Sequence, residues 1–114
     1  MSELEVLAYK VLTAEQMNVL LTDGVFLGAP IDLADGYIHL STAEQVTETV
    51  NKHFAGQTGL HVAAVDLTAL GTAVKWEPSR GGQLFPHIYA PLPLSAVTAH
   101  RPLARDADGA VVLP

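Results

Sequence analysis

The sequence predicts an α+β domain in which two early helices pack against a mostly antiparallel sheet. Two segments in the first half have helical spacing of apolar residues, and several short apolar segments of strand length follow them. The 114 residues suit one domain, 1–114, because a chain of this length buries roughly 65% of the surface that it exposes when unfolded. A hydrophobic content of 49% is typical of a folded globule.

The first two elements are a strand and a helix. Residues 6–12 are mostly apolar and predict a buried strand. Thr13 then predicts a helix start, because Gln16 stands three residues later and the two side chains can form a capping box. Gly24 follows Asp23 and predicts the end of this helix.

A loop, a short strand and a second helix are expected next. Residues 26–35 contain Gly28 and Pro30 and are expected to be a loop. Residues 37–40 predict a short strand, after which Ser41 or Thr42 caps a helix over residues 43–54. The apolar stripe of that helix consists of Val46, Val50 and Phe54.

The second half of the chain predicts further strands. They cover residues 60–67, 73–77, about 96–101 and, at an edge after a turn, 110–113. Residues 66–71 are expected to form a turn or a single helical turn, residues 79–86 a loop, and residues 88–90 an extended segment. The sequence contains no internal repeat and no linker.

Charge and composition narrow the classes of partner. The net charge of −6 argues against a broad nucleic-acid surface, which needs a basic face, although it leaves room for one local anion site. The chain has no cysteine and no apolar run near the ~20 residues of a membrane helix. Its acidic first residues do not resemble a signal peptide. We therefore expect a cytoplasmic protein with no membrane partner; the sequence does not indicate a protein partner.

The segment from Asp35 to Thr42 is the first candidate site. It places His39 inside an apolar strand, where alternation puts His39 on the same face as Tyr37 and Ser41. The helix expected after Thr42 would add free N–H groups suited to an anion. The structural alternative is a half-buried histidine that bonds a backbone carbonyl.

The segment from Trp76 onward is the second candidate. Glu77 follows Trp76, and a carboxylate against an indole would gain proton affinity and serve as an acid or base. Arg80 precedes Gly81 and Gly82, so its guanidinium and the open backbone N–H groups are suited to a phosphate. Two structural alternatives stay open: an ion pair between Glu77 and Arg80, and a simple glycine turn.

The same segment ends in an aromatic run. Pro86 fixes the approach to His87, and Tyr89 shares the face of His87 if the chain is extended. A packed aromatic turn is the alternative. No metal site is expected, since the sequence lacks cysteine and the usual histidine spacings. It also lacks the nucleophile elbow, the P-loop and the dinucleotide fingerprint.

These segments resemble a small bacterial family, domain of unknown function 952. The resemblance runs through residues 9–13 (YKVLT), 28–42 (GAPIDLADGYIHLST) and 76–89 (WEPSRGGQLFPHIY). The family is in turn distantly similar to the ADP-ribosyltransferase superfamily, which binds NAD in the cleft of a split β-sheet. In that superfamily a strand carrying His or Arg contacts the ribose next to the adenine, and His39, Ser41 and Thr42 are similar to that motif. Residues 65–82 also loosely resemble RNA 2′-phosphotransferases of the same fold.

The resemblance implies an α+β fold with a split sheet and an activity on NAD, either ADP-ribosyl transfer or glycosidic cleavage. Glu77 would stabilise the charge that develops on the ribose, His39 would orient the ribose, and Arg80 would meet the pyrophosphate. Either Tyr89 or Trp76 would stack on the nicotinamide. The full set of candidates consists of the catalytic Glu77, His39 and His87 and the cofactor-binding His39, Ser41, Thr42, Trp76, Arg80 and Tyr89.

Two other functions remain open from the sequence. One is a non-enzymatic module that binds a nucleotide or an anionic metabolite on the same fold. The other is a protein-interaction domain in which residues 76–89 face a partner. The direction in which Glu77 points separates the enzyme from the binding module.

Overall fold

The computed structural model describes residues 6–114, apart from the side chain of Arg80. Within residues 6–114 there are eight strands, three of which have only two residues. They are β1 (Leu7–Leu12), β2 (Val25–Phe26), β3 (Ile38–His39), β4 (His61–Asp66), β5 (Val74–Pro78), β6 (Leu84–Ile88), β7 (Leu92–Pro93) and β8 (Val97–Pro102). The α-helices are α1 (Ala14–Asp23), α2 (Pro30–Asp35), α3 (Val46–His53) and α4 (Leu67–Leu70). Three 3₁₀ turns cover Gly71–Ala73, Arg80–Gly82 and Leu94–Ala96.

The strands form two three-stranded sheets and a ribbon. One sheet has the order β1-β4-β8, the other has the order β3-β6-β5, and β2 pairs with β7. Each of these pairings is antiparallel. The expected α+β class with mostly antiparallel strands is thereby confirmed.

The two larger sheets meet at their edges. The Tyr9 N–H donates to the Ser41 carbonyl at 2.7 Å, and the Ser41 N–H donates to the Tyr9 carbonyl at 2.9 Å. This bridge joins the free edge of β1 to the chain just beyond β3. The strand order across the junction is therefore β5-β6-β3 followed by β1-β4-β8, and the residues on either side of the bridge are brought together.

The β1-β4-β8 sheet has an apolar core on each face, because side chains alternate along its strands. The first core contains Ala8 and Leu12 of β1 together with Met17 and Leu20 of α1. It also includes apolar residues of the β3-β6-β5 sheet, Ile38 and Ile88. The second core contains the other face of the same sheet and α3, through Tyr9, Val11, Val62, Val46 and Val50. Helices α1 and α3 thus pack on opposite faces of this sheet.

Helix α1 begins and ends where the local pattern predicts. The Thr13 side chain accepts from the Gln16 N–H, and the Gln16 side chain accepts from the Thr13 N–H. Gly24 ends the helix in the left-handed conformation, with φ of 75°. Because these bonds join residues three or four positions apart, the sequence suffices to place them.

The start of α3 differs from the prediction. The helix begins at Val46, not at residue 43, and no side chain of Ser41 or Thr42 caps it. Residues 43–45 form a turn instead. The Gln45 amide accepts from the Thr42 N–H at 3.0 Å and donates to the Leu84 carbonyl at 2.9 Å, so contact with β6 holds the turn.

The prediction of a loop over residues 26–35 is wrong in part, because this segment contains the end of β2 and the helix α2. Pro30 stands at the first helical position, and Gly36 ends the helix with φ of 88°. Both are usual helix boundary signals. The helix has only six residues, too few for an apolar periodicity to reveal it.

Two strand expectations also need correction. Strand β6 begins at Leu84, inside the segment expected to be a loop. The edge strand expected at residues 110–113 does not form; an isolated bridge between Arg105 and Val111 is present there. Within residues 6–114, none of the helices has the length and apolarity needed to span a bilayer.

Candidate functional site

A cavity of about 610 Å³ lies beside the junction of the two sheets. Its lining comes from β1, from the first turns of α1 and α2, from α3, and from the ends of β3 and β6. Three of the predicted site residues line it, namely His39, Ser41 and His87. The volume lies within the range of small-molecule sites in proteins, about 300–1,000 Å³.

One face of the β3-β6-β5 sheet forms a wall of this site. His39 is the cross-strand partner of His87, and His87 is in turn the partner of Lys75. Cross-strand partners point to the same face, and so do residues two apart on one strand. Glu77 is therefore on the face of Lys75 and His87.

Four rings pack together on this face. Tyr37 stacks on His87 with ring centroids 4.1 Å apart, and it lies 4.8 Å from the ring of His39. The rings of His39 and His87 meet edge to face at 5.3 Å, and Tyr89 lies 5.1 Å from Tyr37. The predicted shared faces of Tyr37 with His39, and of His87 with Tyr89, match this arrangement.

Glu77 is held by the two residues that the sequence places in the aromatic run. His87 Nδ1 donates to Glu77 Oε1 at 2.7 Å, and the Tyr89 hydroxyl donates to Oε1 and Oε2 at 2.8 and 3.1 Å. These bonds keep the pKa of Glu77 below its usual value, while the bond to Glu77 raises the pKa of Tyr89 to about 12. The Glu77 side chain remains 35% exposed.

The prediction that the Glu77 carboxyl has an increased proton affinity is wrong, because the pKa of Glu77 is lowered. That expectation required the Trp76 indole to desolvate the carboxylate. Adjacent residues on a strand point to opposite faces, and the Trp76 side chain packs against the first core instead. Glu77 is consequently suited to act as an anion and not as an acid.

The other predicted residues do not line the cavity, or their side chains lie outside the described part of the structure. Thr42, Trp76, Glu77 and Tyr89 do not line the cavity. Glu77 and Tyr89 lie next to it, because Glu77 is hydrogen-bonded both to His87, which lines the cavity, and to Tyr89. Ser41 Oγ lies 2.7 Å from Thr49 Oγ1, so the Ser41 hydroxyl is bound within the site. The side chain of Arg80 falls outside the described part of the structure, and whether it binds phosphate or Glu77 stays a prediction.

A buried ionic cluster behind His39 was missed by the sequence analysis. Asp32 Oδ1 accepts from His39 Nδ1 at 2.6 Å, and Lys10 Nζ donates to Asp32 Oδ2 at 3.0 Å. His39 Nε2 faces Asp35 Oδ2 at 3.0 Å. The two ring nitrogens of His39 therefore each lie within hydrogen-bond distance of a carboxylate.

Two signals in the sequence point to this cluster. Lys10 stands in an apolar strand at a position whose neighbours on the same face, Ala8 and Leu12, belong to the first core. A lysine in such a place requires a buried anion. Asp32 stands two residues after a helix-starting proline, where a carboxylate can accept a free backbone N–H. Neither signal identifies the other residue as its partner.

The wall of the site combines aromatic and charged side chains. Within residues 6–114, no group of three or more His, Asp or Glu side chains is arranged to hold a metal. The aromatic faces lie next to the ionised carboxylate of Glu77, and Lys75 Nζ lies 5.5 Å from the centroid of the Tyr89 ring. Aromatic faces beside charged groups are typical of sites for planar ligands.

Comparison with known proteins identifies relatives without assigned activity. A family model described as "Protein of unknown function (DUF952)" matches residues 11–100. The crystal structure of protein CC0527 from Caulobacter crescentus is similar, with 47% identity, a TM-score of 0.84 and 93% of each chain covered. The solution NMR structure of CC0527 gives 48% identity and a TM-score of 0.79, covering 94% of this chain and 91% of that one. No curated protein matches the chain significantly.

Proposed function

Since the chain belongs to the DUF952 family, whose description assigns no activity, we propose its function from the site itself. The protein acts on the N-glycosidic bond of NAD, either cleaving it or transferring ADP-ribose to an acceptor. Glu77 is the anionic group that serves this reaction. The proposal agrees with the similarity of the segment around His39 to the ADP-ribosyltransferase superfamily.

The observation that carries this proposal is the state of Glu77. Its carboxylate is ionised, oriented by His87 and Tyr89, and still accessible at the edge of the ring cluster. Departure of nicotinamide from NAD leaves positive charge on the ribose. A fixed anion next to that charge stabilises the transition state.

The proton balance of the reaction also suits an ionised carboxylate. The bond between ribose C1′ and the pyridinium nitrogen breaks, and its electron pair leaves with neutral nicotinamide. No acid is needed for this departure. Water or an acceptor hydroxyl then forms the new bond to C1′ and releases its proton to solvent. The low pKa of Glu77 therefore favours this chemistry over acid catalysis.

The other residues of the wall have supporting roles in the proposal. His39 and Ser41 line the cavity and are proposed to orient the ribose. Tyr89, whose ring remains 43% exposed, offers a face to nicotinamide, which Trp76 cannot do while packed on the core. His87 holds Glu77, and Arg80 is proposed to meet the pyrophosphate.

The binding part of the proposal is tested by thermal shift with NAD, ADP-ribose and nicotinamide. A ligand that binds only the folded protein stabilises it by about 2.7 kcal/mol at a hundredfold excess over Kd. We expect a shift with NAD that His39→Ala abolishes. His100→Ala is the matched control, because His100 is exposed on β8, and it should keep the shift. Absence of a shift in the wild type would refute the proposal.

The catalytic part is tested by nicotinamide release. Glu77→Gln should abolish turnover and largely retain NAD binding, because it removes the charge and keeps the shape. Glu44→Gln, at an exposed position before α3, is the control and should turn over NAD like the wild type. Turnover by Glu77→Gln equal to that of the wild type would exclude Glu77 from this role.

A non-enzymatic nucleotide-binding module is the second candidate. The observation in its favour is that both oxygens of Glu77 already accept hydrogen bonds within the protein. Each of these bonds reduces the stabilisation that Glu77 can offer to a ligand cation. This candidate predicts saturable binding by the wild type with no nicotinamide released after long incubation.

A further inference from the structure

The carboxylate of Asp32 is a buried acceptor for four donors. Oδ1 accepts from the His39 N–H at 3.1 Å and from His39 Nδ1 at 2.6 Å. Oδ2 accepts from the Ala29 N–H at 2.8 Å and from Lys10 Nζ at 3.0 Å. The side chain is only 1% exposed, so no ligand reaches it directly.

Lys10 balances the charge of Asp32 and also fixes the strand that carries His39. Its ammonium group is 7% exposed and donates to the His39 carbonyl at 3.0 Å as well as to Asp32. The backbone N–H, the carbonyl and the ring of His39 are thus all held by this one pair. An unconstrained histidine ring would rotate about its side-chain bonds.

These contacts fix the direction in which the ring meets the cavity. Unlike Asp32, the ring of His39 lines the cavity and is 31% exposed. We infer that Asp32, charge-balanced by Lys10, is a positioning residue that aligns the His39 ring for the ligand of this cavity. The identity of that ligand rests on the proposed function, whereas the alignment of the ring does not.

A purely stabilising role for the Lys10–Asp32 pair is the competing explanation. Buried ion pairs replaced by uncharged residues of similar size often leave stability unchanged or increase it, whereas removal of one partner is strongly destabilising. Stability and alignment can therefore be separated. Asp32→Asn leaves Lys10 without its charge partner, and Lys10→Met/Asp32→Asn removes both charges with little change in volume.

The experiment compares these two variants with the wild type by three measurements. The first is the melting temperature. The second is the NMR signal of the His39 Nδ1 proton in the ligand-free protein, assigned by its loss in His39→Ala. A proton in a short bond to a carboxylate resonates far downfield and exchanges slowly. The third is the NAD affinity, measured by calorimetry.

The control variant is Lys52→Met/Glu48→Gln, which removes an exposed ion pair on α3.

We expect the double variant to regain most of the melting temperature that Asp32→Asn loses. In both Asp32 variants the downfield signal should be absent and NAD should bind about tenfold more weakly or worse, a loss of about 1.4 kcal/mol. The control should resemble the wild type in all three measurements. A double variant that regains the wild-type affinity, or that keeps the downfield signal, would overturn the inference.

Failure of the proposed function has a different signature. If the wild type does not bind NAD, the proposed function fails, and the ligand-free NMR signal still tests the alignment. Loss of that signal in both Asp32 variants, with the double variant as stable as the wild type, then supports the inference. Persistence of the signal refutes it whatever NAD does.

Discussion

At the scale of single residues, two carboxylates with the same kind of partner differ in exposure. Asp32 and Glu77 each accept from a histidine Nδ1, at 2.6 and 2.7 Å. Burial opposes ionisation of Asp32, but its bond to His39 and the charge of Lys10 outweigh burial and hold the pKa of Asp32 below its usual value. Asp32 is 1% exposed and Glu77 is 35% exposed. Similar chemistry thus leaves one carboxylate enclosed behind a histidine and the other partly open to solvent.

Alkaline titration of Tyr89 provides a prediction at this scale. The bond to Glu77 raises the pKa of Tyr89 from 10.0 to about 12, because deprotonation of the hydroxyl removes the donor of this hydrogen bond; desolvation and repulsion by the carboxylate act in the same direction. The stabilisation from this bond is therefore complete below pH 10 and is lost as the pH rises through about 12. Glu77→Gln should move the midpoint of Tyr89 back toward 10.0. The measurement is the ultraviolet absorbance of tyrosinate against pH.

Tyr89→Phe assigns the signal in that titration, since the chain has three tyrosines. It should remove the step at about 12. If Glu77→Gln leaves this step where it is in the wild type, the bond between Tyr89 and Glu77 is not the cause of the shift.

At the scale of elements, the short helix α2 and the loop before it place the Asp32 side chain against His39. The backbone carbonyl of Asp32 accepts from Gly36 at 2.8 Å and from Tyr37 at 3.2 Å, so the same residue joins the end of α2 to β3. Gly28 packs against this helix with φ of 132°. A Cβ at Gly28 would lie 3.0 Å from the Cβ of Asp32, tighter than most Cβ contacts, so that Asp32 would have to move by a few tenths of an ångström.

Gly28→Ala tests this packing against Gly24→Ala. Both glycines have positive φ, and a side chain in such a conformation costs on the order of 1–3 kcal/mol. A Cβ at Gly24 meets nothing within 4 Å, so its replacement costs only this backbone strain. Gly28→Ala should cost more in the free energy of unfolding, measured with urea, and should alone shift the ring signals of His39. Equal effects of the two variants on both measurements would contradict the role given to Gly28.

At the scale of the whole molecule, the β1-β4-β8 sheet lies between two apolar cores. Ala8 and Leu12 face the first core, while Tyr9 and Val11 of the same strand face the second. Loss of either core removes the support of a shared strand. We therefore expect the two cores to unfold together.

Leu20→Ala in the first core and Leu60→Ala in the second test this coupling. Each should lower the free energy of unfolding by about 2–5 kcal/mol. Trp76, the single tryptophan, packs on the first core, so its fluorescence reports that core while far-ultraviolet circular dichroism reports both. The two probes should shift together in both variants. Leu27→Ala, at a side chain that is 64% exposed, is the control and should change stability by less than about 0.5 kcal/mol.

Separate transitions would contradict the coupling. If Leu60→Ala shifts the circular dichroism transition and leaves the Trp76 fluorescence transition in place, the second core unfolds independently. The sheet would then not transmit the loss of one core to the other.

Much of the fold could be predicted from local patterns. Thr13, Gln16 and Gly24 set the bounds of α1, because their hydrogen bonds close within four residues of the chain. Apolar runs placed β1 and β4 for a similar reason, since burial requires only that the residues be apolar. Local patterns also single out His39, Glu77, His87 and Tyr89 as candidate site residues, because polar and aromatic side chains in turns and short strands are unusual.

Tertiary structure alone decided the partners of those residues. Lys10 and Asp32 are 22 positions apart, and Lys10 and the His39 carbonyl are 29 positions apart. Edge pairing of the two sheets at Tyr9 and Ser41 brings them together. The same holds for Glu77, whose pKa depends on His87 across the sheet and not on the adjacent Trp76. Hydrogen bonds within a turn can be predicted from the residues that make them, whereas contacts between sheets depend on where every other strand lies.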